Sequence, residues 1–238
     1  MKKWMSVTLL SWSFIYTAHA VLPLPSNVID FTSPAGQQLL KNSANETTIN
    51  LLQNYTTQES VTYCNVASAT MILNALNVPP PDDLQHKPFK YFTQDNFFTD
   101  NVAKIVKKED VAKSGMTLDQ LAAAMNTHGV HAKAYHANQL SLDNTRSLIK
   151  EALADNKPVI ANLLRTGIKE SGGGHHSPIA AYDKESDRFL FLDVARYKYH
   201  ACWVKASELW SAMNTMDGTV SRGFVVYCAR SQTEVFLN

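Results

Sequence analysis

Cysteine is scarce in this sequence: 238 residues contain three, with no Cys-x-x-Cys pair and no clustered Cys and His spacing. That excludes a disulfide scaffold and a zinc site of finger type. Neither sign of charge dominates. Lys plus Arg number 22 against 21 Asp plus Glu, so no basic surplus is available to neutralise a nucleic-acid backbone. Internal repeats, low-complexity tracts and Gly/Ser-rich linkers are absent, which argues against repeat arrays and separable domains. No apolar run after position 20 approaches the roughly 20 residues that a bilayer-spanning helix needs. What remains, 45% hydrophobic and 18% charged residues, is the composition of an ordinary folded protein.

At the N-terminus, Lys2 and Lys3 precede an uncharged stretch, Trp4 to Tyr16, that ends in Ala18-His19-Ala20. A charged segment, an apolar segment and a small-x-small site predict a signal peptide over residues 1–20, cleaved after Ala20. The expectation is an exported protein, free of the membrane after cleavage, with one domain over residues 21–238.

Apolar residues Val66, Ala69, Leu73 and Leu76 follow Cys64 at helical spacing and predict a helix over 64–77, ended by the Pro79-Pro80-Pro81 run. Thr117 with Gln120 three residues on forms a capping box, opening a helix over 118–125. A further helix is predicted over 141–154. From Pro158 onward the apolar runs shorten and are bounded by turn residues: 159–164, 178–182, 189–194 and 223–228. Asp183-Lys184-Glu185-Ser186-Asp187 reads as a hairpin connection, so the second and third runs pair antiparallel. Helices first and an antiparallel sheet afterwards is an α+β order.

Within that order three residues stand where nucleophilic chemistry needs them. Cys64 opens a predicted helix, whose N-terminus carries about half a positive charge and favours a thiolate. His175 follows three glycines at the start of a strand, and Asp193 lies eighteen residues on, across the hairpin. A carboxylate there can orient an imidazole whose other nitrogen faces the thiol. Gln58, six residues before Cys64, supplies an amide donor for an oxyanion, with the Cys64 main-chain N–H as second donor. Cysteine proteases of the papain type divide these parts between a helical lobe carrying Cys and an antiparallel sheet lobe carrying His and its partner, and a two-lobed papain-like fold is the expected architecture. The doubled His175-His176 leaves one imidazole over. Alternation along the strand is expected to turn His176 to the other face, as a structural residue.

The strings YCNVASATMILNALNV, YFTQDNFF, GMTLDQL, GGGHHSPIAAYD, DRFLFLDVARYKY and LWSAMNTMD resemble the catalytic domain of phytochelatin synthase, or glutathione γ-glutamylcysteinyltransferase, a papain-like family. The chain lacks a cysteine-rich C-terminal extension and so is similar to the short bacterial form. The resemblance implies Cys64, His175 and Asp193 as the triad and Gln58 as oxyanion residue, with glutathione as donor. Cys64 would attack the Cys–Gly bond, release glycine and pass the γ-glutamylcysteinyl thioester to a second glutathione or to water. It further implies Asp217 and Arg222, with Asn162 as a weaker candidate, as an anion and a cation held apart for the γ-glutamyl end. Arg196, Lys198 and Tyr199 would suit an acceptor glutathione or its metal thiolate; for Arg196 and Lys198 a solvated strand edge is the alternative. No tightly bound cofactor and no protein metal site are implied; cadmium or zinc would enter as a glutathione thiolate complex.

Two other functions stay open from the sequence: an exported, non-catalytic module that binds glutathione or its metal thiolates, and a general papain-like peptidase. Asn65 departs from the glycine usual after the nucleophile in this family, adding an amide beside the thiol. Pairing of Cys202 with Cys228 also stays open, since spacing cannot bring their Cα atoms within the ~7 Å that a bridge requires.

Overall fold

The computed structural model of the chain describes residues 21–82 and 86–229; the predicted signal peptide lies outside them. Strand β1 (Ile29–Asp30) leads into helices α1 (Pro34–Ser43), α2 (Glu46–Gln53), α3 (Cys64–Ala75), α4 (Asp100–Ala103), α5 (Lys108–Ser114) and α6 (Leu118–Asn126). Then come β2 (Val130–His136), α7 (Leu142–Ala154), β3 (Val159–Leu164), β4 (Gly174–Asp183), β5 (Arg188–Phe191), β6 (Cys202–Lys205), α8 (Ala206–Met213), β7 (Met216–Asp217), β8 (Val220–Ser221) and β9 (Gly223–Ala229). The capping box at Thr117 and Gln120 opens α6 as expected. Ser141 caps α7 through its hydroxyl. A second capping box, Asn45 with Thr48, opens α2.

Seven strands form an antiparallel sheet in the order β1-β6-β5-β4-β3-β9-β2. The hairpin joins β4 and β5, and strand alternation sends its residues to two different cores. On one face Ile160, Ala180, Leu192 and Val225 pack with α3 and α6. On the other, Ala161, Leu163, Ile179 and Phe191 pack with α7 and α8. The α+β order holds, with the Cys64-bearing helix ahead of the sheet that carries His175 and ends just before Asp193.

Helix α3 is buried on every side rather than along one stripe. All of its residues but Asn74 are buried, as befits a helix at the centre of a core. Val66, Met71, Ile72 and Leu73 have no exposed surface, and each such side chain contributes about 1.5–3 kcal/mol by leaving water. The helix is therefore held rigidly, and so is the residue at its N-terminus.

The three cysteines are free thiols. Cys202 lies on β6 and Cys228 on β9, with β5, β4 and β3 between them. Four strand spacings of about 4.8 Å put them roughly 19 Å apart, so sheet order excludes the bridge that the sequence left open.

Candidate active site

Cys64 is the first residue of α3, and no side chain caps that helix. The first N–H groups of a helix lack intrahelical partners, so they and the helix dipole favour a negative sulfur. Ser68, one turn on, donates its hydroxyl to the Cys64 carbonyl at 2.7 Å and also reaches the His176 carbonyl at 3.2 Å. One serine thus locks the nucleophile's helix against β4.

His175 is 4% exposed. Its Nε2 donates to Asp193 Oδ1 at 2.8 Å, with Ser177 Oγ 3.0 Å away, which leaves Nδ1 as the nitrogen available to the thiol. Asp193 is more heavily held than the sequence foreshadows. Arg165 donates to both of its oxygens, at 2.7 and 3.0 Å, and the Ala195 N–H donates to Oδ1 at 2.8 Å. Arg165 also pairs with Glu170, and all three charged side chains are almost fully buried. Burial pushes Asp193 up, but His175 and Arg165 outweigh it and hold the carboxyl well below the ordinary range. Burial of Glu170 dominates its own balance and raises it.

The same exchange acts on the other two members. Burial lowers the His175 pKa, yet the charge of Asp193 and the hydrogen bonds to Asp193 and Cys64 carry it up to about 9. Burial raises the Cys64 pKa, but His175 first and His176 after it bring the thiol well below its usual value. Both shifts favour a thiolate beside an imidazolium. The sign of the linkage follows from the raised histidine: its contribution to stability is complete below the unfolded value near 6.5 and is lost as pH rises through about 9.

His176 does not behave as the sequence suggested. Its Nδ1 lies 3.9 Å from Cys64 Sγ. Alternation along β4 holds, but the face it gives His176 is the one toward α3. His176 pairs across the sheet with Asn162, and both share the side of Ile160 and Ala180, which pack with that helix. His175 belongs to the opposite side, its ring 6.1 Å from Phe191, and it meets the thiol as the first influence that lowers the Cys64 pKa against burial.

A cavity of about 430 Å³ opens beside the thiol, lined by Cys64, His176, Asn162, Asp217 and Arg222 among others. Its volume lies within the range of ligand sites, roughly 300–1,000 Å³. In its wall Asn162 Nδ2 donates to Asp217 Oδ2 and Arg222 to Asp217 Oδ1, each at 3.1 Å. Asp217 and Arg222 were expected to be held apart; they form an ion pair, because the tight β7–β8 hairpin, with Asp217 opposite Val220 and Met216 opposite Ser221, returns the chain so that the Arg222 guanidinium reaches back to Asp217. Arg222 also donates to the Met216 carbonyl, so it braces that hairpin as well as lining the cavity. Two of the three glycines before His175 have a physical reason. Gly172 has φ +131°, and a Cβ at Gly174 would stand 2.8 Å from an Arg222 guanidinium nitrogen.

Gln58 is fixed near Asp193 by its main-chain N–H, which donates to the Val194 carbonyl at 2.9 Å. Its side-chain amide is engaged, however, donating to the Ser60 carbonyl at 2.7 Å and to the Tyr197 hydroxyl at 3.0 Å. The free oxyanion donor expected here is occupied in this structure. Arg196, Lys198 and Tyr199 do not line the Cys64 cavity. Arg196 stacks on the Tyr55 ring at 4.7 Å and Lys198 lies over Tyr199 at 5.8 Å. Tyr199 is buried, and its hydroxyl accepts from the Ser171 N–H at 2.8 Å.

Arg165, Glu170, Ser177 and Tyr197 were not singled out in the sequence. Ser177 had a signal, since residues two apart on a strand share a face with His175. Arg165 and Glu170 had none, as Arg165 opens and Glu170 follows a short 3₁₀ turn, Arg165–Ile168, whose burial depends on the surrounding sheet.

A buried cysteine at a helix N-terminus, an imidazole oriented by a carboxylate and an adjoining cavity define a site able to form an acyl-thioester. The chain belongs to the phytochelatin synthase family, whose model matches residues 19–224. It is similar to glutathione γ-glutamylcysteinyltransferase 3 of Lotus japonicus, with 33% identity over 87% of this chain and 43% of that protein. The corresponding enzyme of Schizosaccharomyces pombe is 27% identical over 85% of this chain and 49% of its own length. The chain thus spans less than half of these curated relatives. Among solved structures, a prointerpain A fragment from Prevotella intermedia aligns over 87% of this chain and 75% of that one, at 11% identity and TM-score 0.41. Xylellain, a cysteine protease from Xylella fastidiosa, aligns over 88% of each chain at 12% identity and TM-score 0.33. Nothing about this chain rests on either likeness.

Proposed function

We propose that this chain is a glutathione γ-glutamylcysteinyltransferase, exported through its N-terminal signal peptide. The observation that carries the proposal is Cys64 at the start of α3, with His175 held by Asp193 and a cavity that Cys64, Asp217 and Arg222 line together. Cys64 sulfur attacks the carbonyl of the Cys–Gly bond. His175 gives its Nδ1 proton to the departing glycine amine, and a γ-glutamylcysteinyl thioester remains. A second glutathione amine, or water, then loses its proton to His175 Nδ1 as it displaces the sulfur. The first acceptor yields a phytochelatin and the second γ-glutamylcysteine. The Cys64 N–H faces the oxyanion, and Gln58 joins it by exchanging its bond to Tyr197. Cadmium or zinc enters as substrate, carried by glutathione thiolates.

The γ-glutamyl end carries an ammonium and a carboxylate on one carbon. An Asp217–Arg222 ion pair complements such a zwitterion without burying net charge: the carboxylate of Asp217 takes the ammonium and the guanidinium of Arg222 takes the carboxylate. Arg222 also braces the β7–β8 hairpin, so Asp217→Asn is the cleaner substitution. It is expected to raise KM for glutathione roughly 10- to 100-fold with kcat little changed and the melting temperature nearly unaltered. Equal loss on a donor lacking the γ-glutamyl end would contradict the assignment.

The pH profile supplies a second check. With the thiol depressed and His175 raised to about 9, kcat/KM for glycine release is expected to hold through neutrality and fall above pH 9 as the imidazolium loses its proton. A fall centred near the ordinary histidine value would contradict the charge pairing. The proposal itself is tested by product analysis of glutathione incubated with the protein, with and without cadmium: released glycine supports it, and unchanged glutathione under reducing conditions refutes it.

A further inference from the structure

The acyl-transfer steps above make no use of His176, although its Nδ1 is 3.9 Å from Cys64 Sγ. The ring is 4% exposed. Its backbone is fixed by the Ser68 hydroxyl at 3.2 Å and by cross-strand pairing with Asn162. The other nitrogen, Nε2, is buried and has no hydrogen-bond partner among the described residues. That decides where the proton sits. Buried donors left unpaired are rarer and costlier than bare acceptors. A proton on Nε2 would be such an orphan, whereas a proton on Nδ1 points at sulfur. His175 differs, since its Nε2–H is committed to Asp193 and its Nδ1 exchanges a proton with the reacting groups.

We infer that His176 is a second catalytic histidine, whose Nδ1–H donates to the Cys64 thiolate and fixes the sulfur while His175 exchanges the proton with the reacting groups. This deepens the assignment of Cys64 as nucleophile and is independent of glutathione being the donor. The proton transfers of the cycle run through His175. When sulfur forms the C–S bond and the C–N bond breaks, the amine takes its proton from His175. When water or an amine breaks the C–S bond, its proton goes to His175 and the electron pair returns to sulfur, which the His176 N–H receives. The ionisable groups facing the thiol are His175 and His176 from β4, Asp193 and Arg165 behind His175, and Tyr197 from the segment before β6. Asp217 and Arg222 face it across the cavity.

The test is site-resolved alkylation of Cys64 by iodoacetamide across pH, read by mass spectrometry on the full chain without glutathione. His176→Phe keeps the bulk and removes the donor; His176→Asn keeps a donor near the Nδ1 position. The Cys64 alkylation midpoint is expected to rise by roughly one pH unit in His176→Phe, about a tenfold loss of thiolate below the midpoint, and by much less in His176→Asn. An unmoved midpoint in His176→Phe, or an equal rise in both variants, overturns the inference. Thermal melts check folding, and if His176→Phe does not fold, His176→Ala against His176→Asn gives the same comparison. A shifted midpoint in a protein that releases no glycine from glutathione would sink the donor assignment and leave His176 in place.

Discussion

Cys64→Ala is expected to abolish glycine release from glutathione, lowering kcat by on the order of 10⁵- to 10⁶-fold, while the chain stays folded. The size of the loss reflects a unit: without sulfur there is nothing for His175 to protonate against and no thioester for an acceptor to attack, so the remaining groups cannot compensate. The small effect on folding follows from location. Cys64 is 7% exposed but opens α3 rather than filling its middle, and replacing it removes an anion that burial penalises. A stability change within about 1–2 kcal/mol is expected. Glycine release retained in the alanine variant would remove Cys64 from the chemistry.

Asp193→Asn is expected to lower kcat about 10⁴-fold, since an amide in place of the carboxylate no longer holds His175 in the tautomer and charge state that the thiolate needs. Two further readouts distinguish this from simple damage. The alkaline limb is expected to move down from about 9, because the charge of Asp193 is the leading influence that raises His175 against burial. Stability is expected to fall by about 3–5 kcal/mol, because Arg165, almost fully buried, keeps Glu170 but loses a bidentate partner. Asp193 has a depressed pKa, so its contribution is present above the unfolded carboxylate value and is lost only as pH falls through the folded one. The stability gap between wild type and Asp193→Asn should therefore narrow in strong acid. An unchanged alkaline limb would show that Asp193 does not set the charge of His175.

Much of this site is legible in the sequence because it depends on local order. The helix at Cys64 and the capping box at Thr117 are written in residues three or four apart, and a charged turn over 183–187 is enough to bring His175 opposite Asp193. The rest depends on which face of a strand meets which helix. Alternation separates His175 from His176 but does not say which of them faces α3; that is settled by β3, where Ile160 and Asn162 share the helical side. The ion pair of Asp217 with Arg222 depends on the turn of the short β7–β8 hairpin, and the engagement of Gln58 by Tyr197 is a contact between a loop and a distant segment, for which spacing carries no information. Burial of Arg165 and Glu170 is of the same kind. Helices α1 and α2 carry little signal in the sequence, because they are short and are capped by ordinary polar residues, Ser33 and Asn45.

The thioester is the central intermediate, and it can be weighed. Intact-mass and peptide mass spectrometry of the protein quenched in acid after brief exposure to glutathione should show Cys64 heavier by γ-glutamylcysteine less water, released by hydroxylamine and absent from Cys64→Ala. Glutathione turnover with Cys64 unmodified at every time point, or with the same adduct on Cys228 instead, would contradict it.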